Sequence, residues 1–131
     1  MKQTLSAVAL VVPDYDEAIR HYVNGLGFTL IEDTQISAEK RWVVVAPPGV
    51  GPGGCRLVLA KASNEAQKAR IGDQTGGRVF LFLETDDFAR DYERFRTAGV
   101  RFTEDPRDEP YGKVVVFEDA FGNRWDLIHR K

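Results

Sequence analysis

The sequence repeats itself, and the repeat limits the fold more than any other feature. Ala7-Val8-Ala9-Leu10-Val11-Val12-Pro13-Asp14-Tyr15 aligns with Phe80-Leu81-Phe82-Leu83-Glu84-Thr85-Asp86-Asp87-Phe88. Each is an apolar run followed by an acidic residue and an aromatic, and Tyr22 then answers Phe95 at the same offset. Both halves go on to a glycine and another apolar stretch, Gly25-Leu26-Gly27-Phe28-Thr29-Leu30 and Ala98-Gly99-Val100-Arg101-Phe102. Val43-Val44-Val45 matches Val114-Val115-Val116, and Gly54-Cys55-Arg56-Leu57-Val58-Leu59 matches Gly122-Asn123-Arg124-Trp125-Asp126-Leu127. Each half therefore reads as strand, helix, then three strands: a βαβββ module over about 4–60 and a second over about 76–130. At 131 residues the two modules make one domain of α+β class.

Local signals place the elements. Asp14 with Glu17 three residues on forms a capping box, with Asp in the Ser/Thr position. Tyr15, Ala18, Ile19, Tyr22 and Val23 recur at helical spacing as one apolar face. Asp87 caps a second helix whose inner face carries Phe88, Tyr92 and Phe95, and glycines 25, 27 and 99 supply stops. The two valine runs are strands by β-branched content. Between the modules, 62–71 favours a short surface helix inside a linker spanning about 62–75. The loop 47–54 is rich in proline and glycine but lacks the Lys-Ser or Lys-Thr of a phosphate-cradling loop, so it reads as a hairpin connection.

Composition excludes several classes of function. Hydrophobic residues at 43% are enough for a packed core, which rules out a mostly disordered chain. Eighteen Lys and Arg against twenty Asp and Glu leave a net charge of −2, without the basic excess of a nucleic-acid binder. Cys55 is the single cysteine and forms no internal disulfide, which suits a reducing compartment. No apolar run approaches the roughly 20 residues that span a bilayer. The first residues turn acidic without a small-residue cleavage site and read as a mature strand rather than a signal peptide. A soluble, cytoplasmic protein with no membrane partner is expected.

The paired modules resemble the vicinal oxygen chelate superfamily, which includes glyoxalase I, extradiol dioxygenases, methylmalonyl-CoA epimerase, and fosfomycin and bleomycin resistance proteins. The residues carrying the resemblance are Val8-Ala9-Leu10-Val11-Val12-Pro13-Asp14 leading to Leu26-Gly27-Phe28, and Asp86-Asp87 leading to Ala98-Gly99-Val100. Pro110-Tyr111-Gly112 and Phe117-Glu118-Asp119-Ala120-Phe121-Gly122-Asn123 complete the pattern over nearly the whole chain. The resemblance implies a curved mixed sheet in which each module forms a half-barrel around a cleft, and a homodimer at this length.

It also implies where a divalent ion would be held, by ligands on the first and last strand of each module. Those positions fall on Ala7, Val58, Phe80 and Asp126. Such an ion would polarise a carbonyl and stabilise an enediolate, but three of the four residues offer no donor. No metal or other cofactor is therefore expected. His21, on the helix surface, and His129, at a strand end facing away from Asp126, share no ligand spacing. Cys55 has no nearby His in the sequence and reads as unreactive.

Strand alternation then predicts the cleft lining. Arg78, Phe80, Phe82 and Glu84 face inward with one another. So do Arg56, Val58 and Ala60; Arg124, Asp126 and Ile128; and Ala7, Ala9 and Val11. Trp42 on the third strand and Tyr111 before the seventh join them, while Trp125, of opposite parity, packs under the helices. Two readings fit this set. The aromatics fill the half-barrel and the arginines pair with Glu84 and Asp126, leaving a structural module. Alternatively Trp42, Phe80, Phe82 and Tyr111 stack on a flat ligand whose polar end Arg56, Arg78, Arg124 or Asp126 fixes. The second makes the chain a metal-free small-molecule-binding protein that sequesters an aromatic or antibiotic-like compound. A third expectation keeps catalysis: a glyoxalase-like lyase or isomerase, or a dioxygenase, with a relocated metal or with Asp126 as general base.

Overall fold

The computed structural model describes every residue except Val50 and Pro52. Both lie in the glycine-rich loop expected at 47–54, and the conformation there is outside the described residues. The chain forms two compact units, Met1–Ala69 and Arg70–Lys131.

The first unit opens with strand β1 (Ala7–Val12) and helix α1 (Tyr15–Ile19). Asp14 caps that helix by accepting the Glu17 N–H at 2.9 Å. The single helix expected through Val23 instead widens into a π-helical stretch over Arg20–Gly25, and the Leu26 N–H reaches back five residues to the His21 carbonyl at 2.9 Å. Strands β2 (Thr29–Gln35), β3 (Arg41–Ala46) and β4 (Arg56–Lys61) follow. The sheet order is β1-β4-β3-β2, with β1 parallel to β4 and the rest antiparallel. Leu10, Val12, Val43, Val45, Leu57 and Leu59 are buried on one face, beneath Tyr15, Ala18 and Tyr22. That apolar layer holds the unit together.

A short helix α2 (Glu65–Lys68), capped by Asn64, closes the first unit. It stops well before residue 71 because no residue of it is buried, so nothing rewards a longer helix.

The second unit has strand β5 (Leu81–Glu84), helix α3 (Phe88–Thr97) and strands β6 (Arg101–Phe102), β7 (Arg107–Glu109), β8 (Gly112–Glu118) and β9 (Arg124–Arg130). Four strands follow the helix where three were expected. Pro106 has no N–H for a ladder, and the chain between Phe102 and Arg107 leaves the sheet, so β6 and β7 pair with β8 separately. Strands β5 and β9 run parallel, and β8 lies antiparallel to β9. Phe88 and Phe95 of α3 cover a buried layer of Val115, Phe117, Trp125 and Leu127. The rings of Phe117 and Trp125 stack 5.8 Å apart. No helix among the described residues is long and apolar enough to cross a membrane.

The parallel ladders share one register: Ala9 opposes Val58 in the first unit as Phe82 opposes Asp126 in the second. Each sheet therefore has a helix-covered face and a second face with the same spacing of positions.

Candidate functional site

In the first unit the face away from α1 carries Ala7, Ala9 and Val11 of β1 beside Arg56, Val58 and Ala60 of β4, with Val44 opposite Val58. These side chains are short and apolar apart from Arg56, so the face is low and smooth. At its end lies a hollow of about 970 Å³, lined by Tyr15, Trp42, Val58, Ala60, Lys61 and Gln67 among others. Trp42 is 41% exposed there. The backbone before it is clamped. Arg41 donates to Asp33 at 2.7 and 3.1 Å and to Asp16 at 2.8 Å. Its guanidinium lies 5.2 Å from the Tyr15 ring centre, and the Arg41 backbone N–H donates to the Tyr15 hydroxyl at 3.2 Å. Those hydrogen bonds hold the Asp33 carboxyl below its usual range and raise the Arg41 guanidinium. The clamp fixes the strand from which Trp42 projects.

The corresponding face of the second unit is charged. Phe82 of β5, Asp126 of β9 and Val116 of β8 form one cross-strand row. Phe82 is 63% exposed, the most open aromatic of the chain. Around the row, Arg130 pairs with Glu84 at 2.7 Å, and Arg107 pairs with Glu104 at 2.8 Å and Glu109 at 2.6 Å. Glu118 lies 3.6 Å from Arg101 and 3.7 Å from Arg124. Asp126 has no such partner: its Oδ1 is shut off from water and accepts no hydrogen bond among the described residues. Burial pushes its carboxyl above the ordinary value, with Arg107 pulling the other way and Glu104 adding to the rise.

The other expected site residues are distributed as follows. Phe80 donates its N–H to the Arg124 carbonyl, and with Arg78 and Arg124 it borders a small hollow of about 130 Å³. Arg78 lies in the bend before β5, not in the strand, so alternation does not aim it. Arg124 donates to the Gly77 carbonyl at 3.1 Å. Tyr111, 44% exposed, stands in the turn immediately before β8, and its carbonyl accepts the Lys131 N–H. His21 is not on the open helix surface; it is half-buried, its ring edge-on to Tyr22 at 5.0 Å. Sequence reasoning missed Glu104, Arg107, Glu109 and Arg130, although Arg130 follows Ile128 at the strand period. It also missed Lys61 and Gln67, which border the hollow from the end of β4 and the short helix.

The ligand set that the resemblance implies for a divalent ion does not fit. A methyl, an isopropyl and a phenyl group at Ala7, Val58 and Phe80 supply no lone pair, which leaves the Asp126 carboxylate without partner ligands. Among the described residues no three His, Cys, Asp or Glu side chains gather into a metal-binding group. Elemental analysis after exposure to Mn²⁺, Ni²⁺, Zn²⁺ and Mg²⁺ followed by desalting is expected to find well under one equivalent of metal per chain. One equivalent would show that other side chains converge on an ion.

A sequence profile of the Glyoxalase/Bleomycin resistance protein/Dioxygenase superfamily matches residues 4–127. An uncharacterized protein of Shewanella frigidimarina (strain NCIMB 400) is 57% identical over 129 residues, 98% of this chain and 94% of that protein. Among solved structures, UcmS2 superposes with a TM-score of 0.83 at 32% identity, covering 98% of both chains. TnmS3, an antibiotic binding protein from Streptomyces sp. CB03234, superposes with a TM-score of 0.77 at 28% identity, over 100% of this chain and 98% of its own.

Proposed function

The chain belongs to the glyoxalase/bleomycin resistance protein/dioxygenase superfamily, and from that premise we propose that it is a metal-free binding protein for an aromatic or antibiotic-like small molecule. The observation that carries this reading is the exposure of Trp42, Phe82 and Tyr111, at 41, 63 and 44%, while Phe88, Phe95, Phe117 and Trp125 are buried. The helix-covered faces take the aromatics needed for the core. The exposed rings have no such role, and large rings left in water mark binding surfaces. Trp42 beside the apolar floor of Val58 and Ala60 offers a stacking plane in a hollow of drug-molecule size. The likeness to an antibiotic binding protein supports the same reading. The homodimeric state and the cytoplasmic location implied at the outset belong to this proposal.

The two tryptophans provide the test. Trp42 is 41% exposed and Trp125 3% exposed, so emission divides into a solvent-facing and a core component. Planar aromatic compounds are expected to quench the first and spare the second. Trp42→Ala should weaken binding by about tenfold, equivalent to about 1.4 kcal/mol of stacking, with little change in melting temperature. If a broad set of such compounds leaves the Trp42 component untouched, or if Trp42→Ala binds them as the wild type does, this reading is wrong.

A further inference from the structure

We propose that the second unit holds a phosphate-binding site of its own, in the hollow of about 130 Å³ between the bend before β5 and the start of β9. Binding there does not require the aromatic-binding reading to hold. The hollow is lined by Arg78, Arg124, Glu118, Thr75 and Asn123, with glycines between them. Two guanidiniums thus meet one carboxylate. Short links keep the arginines together. Arg124 Nη1 donates to the Gly77 carbonyl at 3.1 Å, and the Phe80 N–H returns to the Arg124 carbonyl at 2.8 Å. Thr75 Oγ1 donates to the Arg78 carbonyl at 2.7 Å, which fixes the bend that carries Arg78.

Most of the donors of these arginines are unspent. The Arg78 guanidinium makes no ion pair or hydrogen bond among the described residues. Arg124 uses one of its five N–H groups on Gly77, and its Nε lies 3.7 Å from Glu118, beyond hydrogen-bond reach. Glu118 is moreover shared with Arg101, 3.6 Å away on its other oxygen. The remaining carboxylate close by, Asp119, is buried and turned to the Phe121 and Asn123 N–H groups. A space of about 130 Å³ corresponds to about four water molecules, room for one phosphate and not for a drug-sized ring system. A phosphomonoester carries close to two negative charges at neutral pH and three strong acceptor oxygens, which match a pair of guanidinium forks. A carboxylate brings one charge and two oxygens and leaves more of those N–H groups unmet. Arg78 and Arg124 are exposed, so the rest of an ester projects into water.

The backbone amide NMR signals of Gly77, Gly122 and Asn123 in the full chain report on the hollow. Inorganic phosphate, exchanged for chloride at constant ionic strength and neutral pH, should shift them saturably, and acetate should bind at least about tenfold more weakly. Phenyl phosphate identifies the source. Binding at least as tight as that of inorganic phosphate assigns the site to an ester of a larger molecule, and weaker binding assigns it to the free ion. Arg78→Gln and Arg124→Gln should each weaken phosphate binding about tenfold, while Glu118→Gln should tighten it. Arg78→Gln decides the matter, because that side chain bonds to nothing whose loss would disturb the fold. The absence of a saturable shift with either phosphate, acetate binding as tightly as phosphate, or unchanged affinity in Arg78→Gln overturns the site.

Discussion

Phe117→Ala is expected to lower the free energy of unfolding by about 3–5 kcal/mol, the cost of emptying a fully enclosed aromatic site. Phe117 has no exposed surface. Its ring stacks on Trp125 at 5.8 Å, meets Phe95 of α3 edge-on at 5.2 Å, and lies 6.3 Å from Phe102. It therefore joins the helix, β6 and β9 at one point. Three of its neighbours are themselves large rings anchored on separate elements, so they cannot all close in on the gap, and much of the cavity persists. Urea denaturation measures the loss. Trp125 emission reports it independently, shifting to longer wavelength as water reaches the indole. Phe117→Leu keeps most of the volume and should cost markedly less than the alanine variant. A loss under about 1 kcal/mol for Phe117→Ala would mean that the second unit is not built around this ring.

The consequence reaches the open face. Phe117 lies in β8 between Val116, opposite Asp126, and Glu118, opposite Arg124. Because side chains alternate along a strand, the residue that closes the core also sets the height of its neighbours on the other side. The stacked rings of Phe117 and Trp125 thus underlie the row of Phe82, Asp126 and Val116.

Much of this was legible from the repeat. Asp14 and Asp87 stand just before the two apolar helical faces, and both cap their helices, Asp87 by accepting the Arg90 N–H at 3.1 Å. The parity of Trp125 against Asp126 separates core from open face because the strand period leaves only two choices. Other features depend on more than local pattern. The π-helical turn at Arg20–Gly25 differs from an α-turn by one residue of register, and the apolar spacing from Tyr15 to Val23 accommodates both. The split between β6 and β7 hinges on Pro106, which a three-strand template absorbs into a single strand. The isolation of Asp126 was the least visible. It follows from Arg107 reaching Glu104 and Glu109, a choice among carboxylates made by the chain's path in space and not by sequence spacing. One expectation paired the arginines of the lining with Glu84 and Asp126; Arg124 instead lies 3.7 Å from Glu118, and Glu84 takes Arg130.

Gly72→Ala should be at least as damaging as the loss of the Phe117 ring, for a reason confined to the backbone. Gly72 has φ +72°, in the left-handed region, where a side chain costs about 1–2 kcal/mol. A Cβ there would also overlap the carbonyl oxygen of Phe121, with the carbonyl carbon only 3.0 Å away. The carbonyl cannot swing aside cheaply. The Phe121 N–H and the Asn123 N–H both donate to Asp119 Oδ1 at 2.9 Å, and the Asn123 side chain donates to Oδ2 at 2.8 Å. The Gly122 N–H meanwhile donates to the Asp119 carbonyl at 3.2 Å. Asp119 itself is 5% exposed, so the turn leading into β9 is anchored from within. Gly76 provides the control. Its φ of +68° carries the same conformational penalty, but nothing lies within 4 Å of its would-be Cβ. Gly76→Ala should therefore cost about 1–2 kcal/mol and Gly72→Ala more than about 3 kcal/mol, both read from urea midpoints at constant slope. The difference isolates the collision with Phe121. Equal losses in the two variants would show that the turn over 119–123 yields to a methyl group, and with it the approach of the chain to Arg124 and Asp126.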